Sequence, residues 1–128
     1  MRLLLDTQVL LWAASMPERL GGSKRMLTEA DVRLVSVASA WELAIKSGIG
    51  KLDLKRDIAS WLRRALRELV AEPLDIRLEH TFAIEGLPPA HRDPFDRMLV
   101  AQAAAEGAQL LTADKTLLRY GDMVRLIT

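Results

Sequence analysis

Leu3-Leu4-Leu5-Asp6-Thr7-Gln8-Val9-Leu10-Leu11-Trp12-Ala13 is a short apolar run, a polar break and a second apolar run. Three leucines bounded by polar residues suit a strand buried on both faces. The apolar residues 9–14 beyond the break suit a helix fed by that strand. The step recurs: residues 32–35 are largely β-branched or apolar, Ser36 stands at a cap position, and Val37, Trp41, Ala44, Ile45 and Gly48 follow at helical spacing until Gly48-Ile49-Gly50 breaks the chain. Residues 57–71 carry Ile58, Trp61, Leu62, Ala65, Leu66 and Leu69, an amphipathic helix ending before Pro73. A third strand fits 74–76, a short helix 78–86, a loop 87–89, a helix 94–105 and a fourth strand 109–112. A helix start follows at Asp114, and 123–127 makes a final strand. Strands alternating with helices, and apolar enough to be buried on both faces, predict an α/β fold with a mostly parallel sheet covered on two sides.

The bulk properties bound the function. A chain of 128 residues, half of them hydrophobic, fits one domain (1–128) with one core. There is no cysteine, so disulfides, a thiolate nucleophile and sulfur-ligated zinc are excluded, and a reducing cytoplasm is the expected compartment. Asp6 interrupts any signal-like run, and the longest apolar run, 9–14, is far below the ~20 residues needed to cross a bilayer, so a soluble protein is expected. With a net charge of +1, nucleic-acid binding must rest on local patches: Arg63, Arg64 and Arg67; Lys46, Lys51, Lys55 and Arg56; or Arg92 and Arg97. Each also reads as an ordinary solvated face. The sequence has no dinucleotide fingerprint, no phosphate-binding P-loop and no nucleophile elbow.

Sites of open parallel sheets form outside the carboxyl ends of the strands. Asp6 follows the first strand, Glu42 lies in the helix after the second, Asp96 opens the helix before the fourth, and Asp114 follows the fourth. Each has an ordinary alternative role. Asp93, before Pro94, is a good helix cap, Asp96 stands where an acid closes a capping box, and Glu42 is four residues before Lys46. Several carboxylates at one edge nevertheless repel and raise each other's pKa unless a cation holds them. With no Cys and no well-spaced His, oxygen ligands select Mg²⁺ or Mn²⁺ over Zn²⁺, and such a site suits phosphoryl chemistry. His80 and His91 read as surface or loop histidines. Trp12, Trp41 and Trp61 fall on apolar helical faces, where core packing is the default and a partner groove the alternative.

Four segments, "LLLDTQVLLWA" at 3–13, "SVASAWELAIKSGIGKLDL" at 36–54, "LPPAHRDPFDRMLVAQA" at 87–103 and "LLTADKTLLRYG" at 110–121, resemble in order the PIN-domain ribonucleases, and within them the toxin halves of VapBC-type bacterial toxin–antitoxin pairs. The resemblance implies a three-layer α/β/α sandwich and a metal-dependent endoribonuclease. Its catalytic and metal-binding acids fall on Asp6, Glu42, Asp96 and Asp114, with Mg²⁺ or Mn²⁺ as cofactor. The family's small hydroxyl falls on Thr112, while Asp93 reads as a cap or a supporting acid, and Thr7 and Gln8 lie beside the acids. Gln8 stands where relatives often carry His or Asn, which bears on substrate contact and not on the metal. The implied partners are an RNA substrate, a second copy in a homodimer, and a cognate antitoxin. Three tryptophans are many for a chain with two phenylalanines and one tyrosine, which suggests that the antitoxin lies along a groove of Trp12, Trp41 or Trp61 edged by Lys46, Arg63, Arg64 and Arg67. Two other functions use the same residues: a catalytically silent protein-binding module, and a metal-dependent phosphatase or DNase.

Overall fold

The computed structural model describes residues 1–89 and 92–128. Its sheet is built from β1 (Arg2–Leu5), β2 (Val32–Ser36), β3 (Ala71–Leu74), β4 (Gln109–Thr112) and β5 (Val124–Leu126) in the order β3-β2-β1-β4-β5, with every neighbouring pair parallel. Between the strands run α1 (Thr7–Ser15), α2 (Ser23–Glu29), α3 (Val37–Gly48), α4 (Ile58–Leu69), α5 (Leu78–Glu85) and α6 (Pro94–Glu106). Short 3-10 helices lie at Pro17–Leu20 and Lys115–Tyr120.

The three leucines of β1 show why two helical layers are needed. Successive strand residues point to opposite faces. Leu3 and Leu5 therefore join Val9, Leu10, Leu43 and Trp61 in one core, and Leu4 joins Leu34, Leu99, Val100 and Leu110 in the other. Each leucine is fully buried. At about 1.5–3 kcal/mol per buried leucine, the central strand contributes strongly to both layers, and the result is an α/β/α sandwich.

The chain runs from β1 outward to β2 and β3, then returns past β1 to β4. The direction of winding therefore reverses between β1 and β4, where a crevice opens at the carboxyl ends of the strands.

Four expectations are corrected. The third strand is Ala71–Leu74 instead of 74–76: α4 stops at Leu69, Val70 turns the chain in the left-handed region (φ 50°), and the strand begins at once. Pro73 is tolerated within it because β3 is an edge strand. The span 15–31, which had no predicted element, holds a 3-10 helix and α2. The carbonyls at the C-terminal end of α2, together with that of Leu69 at the end of α4, are gathered by Arg33, whose guanidinium donates to Leu27 O (3.1 Å), Ala30 O (2.9 Å) and Leu69 O (2.8 Å). His80 is fully buried instead of lying at the surface. Its Nδ1 accepts from the Arg77 backbone N–H (2.9 Å), and its Nε2 lies 3.1 Å from Glu106 Oε2. Trp41, expected on an apolar face, is 58 % exposed. His91 lies outside the described residues.

Candidate active site

The register Leu5↔Leu111 places Asp6 and Thr112 next to each other where β1 and β4 end. Thr112 Oγ1 donates to Asp6 Oδ2 (2.6 Å) and accepts from Asp114 N (3.0 Å). One buried hydroxyl thus ties together the acids that follow the two strands. Asp6 also caps α1, accepting from Thr7 N at 2.7 Å. Asp114 caps the following 3-10 helix, accepting from Thr116 N (2.9 Å) and Thr116 Oγ1 (2.7 Å).

Glu42 arrives from β2 through α3. Ser36 ends β2 and caps α3, its Oγ accepting from Ala38 N at 2.9 Å. Glu42 is 9 % exposed. Its Oε1 accepts from Thr7 Oγ1 (2.8 Å), and its Oε2 pairs with Lys46 Nζ (2.7 Å). Thr7 Oγ1 is also hydrogen-bonded to Ser39 Oγ at 2.9 Å. Asp96 comes on the first turn of α6. The cap there is Asp93, which accepts from Phe95 N (2.8 Å) and Asp96 N (3.4 Å). The two neighbouring acids thus differ in role: Asp93 holds the helix start, and Asp96 is set one turn further in.

Asp6, Glu42, Asp96 and Asp114 line one cavity of about 270 Å³, with Thr7, Gln8, Lys46 and Asp93 also on its wall. The crowding shows in the titration of the acids. Burial, and then the charges of Asp6, Asp93, Glu42 and Asp114, push Asp96 up to about 7. Burial raises Asp6 as well, opposed by its hydrogen bonds from Thr112 and Thr7 and assisted by the charges of Glu42 and Asp114. Lys46 is raised by its hydrogen bond to Glu42, so it stays charged on the rim.

Among the described residues, the acids do not close into a ready-made cluster of three metal-ligating groups. Asp6 is instead held by Thr112, Glu42 by Thr7 and Lys46, and Asp114 by Thr116. The chemistry of the set still fits a hard cation: carboxylate oxygens from four elements, raised pKa values at Asp6 and Asp96, and, among the described residues, no His on the wall.

The three tryptophans do not line one groove: Trp12 and Trp61 share a core, and Trp41 stands apart. Trp61 is in the core and, with Arg64, lines a separate cavity of about 240 Å³ that also includes Ala14, Leu54, Lys55 and Arg56. Trp12 packs beside the same core, with the Arg19 guanidinium 5.5 Å from its ring centroid. Trp41 stands edge-to-face with Phe95, at 5.1 Å between centroids. Lys46 belongs to the acid cavity. Sequence reasoning missed Ser39, fully buried behind Thr7; its place one helical turn before Glu42 is the signal that could have found it.

The PIN domain family model matches residues 3–123, and the chain belongs to that family. It is similar to Ribonuclease VapC22 of Mycobacterium tuberculosis, at 28 % identity over 116 residues, 89 % of this chain and 88 % of that protein. Its fold is similar to that of the crystal structure of VapBC2 from Rickettsia felis bound to a DNA fragment from their promoter, with a TM-score of 0.72 and 20 % identity, covering 98 % of this chain and 97 % of that one.

Proposed function

We propose that this chain is a divalent-metal-dependent endoribonuclease and the toxin of a toxin–antitoxin pair, acting in the cytoplasm. The observation that carries the nuclease reading is the acid cavity, in which four carboxylates from separate elements crowd one space at the topological switch point. The likeness to a named ribonuclease and to a VapBC structure supports the substrate class and the antitoxin partner.

Asp6, Glu42, Asp96 and Asp114 would hold Mg²⁺ or Mn²⁺. Such a cation supplies positive charge to the phosphodiester and an acidified water as nucleophile. The chain's own residues set the conditions. Thr112 and the Thr7 amide fix both oxygens of Asp6, so its carboxylate cannot rotate away from the cavity. Lys46 keeps a positive charge on the rim, where it faces an approaching phosphate while steadying Glu42. Gln8, exposed on the cavity wall, is the side chain proposed to touch the RNA.

The cavity of Trp61, Arg64, Lys55 and Arg56 between α1 and α4 is the docking place proposed for the antitoxin, with an apolar floor and an edge of Lys55, Arg56 and the Arg64–Glu68 ion pair. A homodimer, implied by the resemblance, has a seam available along α3, where Val37, Trp41 and Ile45 recur every four residues and Ile49 continues the row, all exposed.

The test is incubation of the purified chain with structured and single-stranded RNA. Cleavage is expected with Mg²⁺ or Mn²⁺ and is lost in EDTA. Equal cleavage in EDTA refutes the metal dependence. Hydrolysis of DNA or of a phosphomonoester in place of RNA refutes the substrate class.

A further inference from the structure

The acid-bearing helices α3 and α6 are joined behind the cavity by polar groups with no solvent access: Ser36, Gln102 and His80 are each fully buried. Ser36 Oγ, already the cap of α3, donates to Gln102 Oε1 on α6 at 2.5 Å. Gln102 Nε2 donates to Asp75 O (3.2 Å) and lies 3.4 Å from His80 Nδ1. His80 connects on to Glu106, which pairs with Arg77. Glu42 is six residues after Ser36 on α3, and Asp96 is six residues before Gln102 on α6.

Apolar residues of similar volume could fill this space at little or no cost in stability, because replacing both partners of a buried hydrogen bond with apolar groups is often near neutral. What they could not supply is direction. The Ser36–Gln102 bond sets how α3 sits against α6 at one point, and the Asp75 bond stops Gln102 from turning away. We infer that Gln102 and Ser36 are positioning residues for the acid cavity, fixing the placement of Glu42 relative to Asp96. The inference rests on the metal-dependent nuclease reading above.

The test compares Gln102→Leu, Ser36→Ala and the conservative Ser36→Thr with the unaltered chain. A control, Leu27→Ala, removes packing from the opposite core. Two quantities are read at a temperature where circular dichroism shows all variants folded: Mn²⁺ affinity by calorimetry, and kcat with KM for RNA at saturating Mn²⁺. A displacement of about 1 Å can cost roughly 10²-fold in rate. The expected result for Gln102→Leu and Ser36→Ala is therefore a fall in kcat of about 10–100-fold with KM little changed, and Mn²⁺ binding weaker by about 10-fold. Ser36→Thr should keep both near their original values, and Leu27→Ala should lower the melting temperature without moving either. Original kcat and Mn²⁺ affinity in folded Gln102→Leu overturn the inference, and so does a loss in Leu27→Ala matching that of Gln102→Leu at the same melting temperature. If Gln102→Leu does not fold, Ser36→Ala against Ser36→Thr decides by the same readouts. If the unaltered chain neither binds Mn²⁺ nor cleaves RNA, the function reading itself fails and this inference falls with it.

Discussion

Replacing Asp96 with Asn should abolish RNA cleavage and, in EDTA, make the protein more stable. The carboxyl of Asp96 is pushed from 3.8 to about 7 by burial and by the neighbouring acids. Between those values the folded protein binds a proton that the unfolded chain has lost, so this group's contribution to stability falls as pH rises from about 4 to about 7 and is flat beyond. Taken in full, the shift of about three units corresponds to roughly 4 kcal/mol at 1.36 kcal/mol per unit. Asp96 is only partly buried, and solvent screening together with the shared charge of the cluster reduces this to about 1–2 kcal/mol. For a domain of this length that is a rise of roughly 4–8 °C in melting temperature. Melting curves followed by circular dichroism in EDTA should show the gain at pH 8 and little or none at pH 4. Added Mg²⁺ should raise the melting temperature of the unaltered protein more than that of Asp96→Asn. A lower melting temperature for Asp96→Asn at pH 8, or a gain that does not vary with pH, refutes the argument that the acids are held against their mutual repulsion.

Asp93→Asn keeps a competent cap and should retain cleavage and stability, while Asp93→Ala should lose about 1 kcal/mol in denaturant unfolding. Arg33→Ala strands carbonyls at the ends of α2 and α4 and should cost about 2–3 kcal/mol, read as a lower urea midpoint; Arg33→Lys should recover only part of it. Val70 holds φ 50° while exposed, so Val70→Gly relieves left-handed strain with little packing lost and should raise stability by about 0.5–1 kcal/mol in the same assay.

What the sequence disclosed about the fold came from periodicity, and what it withheld came from long-range geometry. Leu3 to Leu5 and Leu110 to Thr112 read as buried strands because their apolar runs are short and bounded by polar residues, and the register of the sheet then puts the following Asp6 and Thr112 side by side. The position of the third strand is not legible because Ala71-Glu72-Pro73-Leu74 carries no strand pattern; pairing with β2 creates it, and an edge position tolerates its proline. Residues 23–29 form α2; Lys24, Arg25, Met26, Leu27 and Glu29 are good helix formers, but the segment is too short to show an apolar period, and Leu27 buried against the core together with Arg33 on the terminal carbonyls holds it in place.

The same division runs through the site. Each acid is legible singly, as a polar residue at a strand or helix boundary, and each boundary gives it an ordinary job: Asp6 and Asp114 do cap helices, and Glu42 does pair with Lys46. The two readings are therefore not exclusive. A carboxylate that caps a helix keeps a fixed rotamer, and one that accepts from a buried threonine cannot swing into solvent, so the capping bonds serve to aim the acids at a common cavity. His80 shows the limit of reading residues singly. An isolated histidine on a short helix looks like surface; the Arg77 N–H on its Nδ1 is a local partner, but only the fold reveals that Glu106, twenty-six residues further on, partners its Nε2 and that Gln102 lies against its ring. Burial of a polar group is a property of its partners, and when those partners stand on a different helix no local window contains the information.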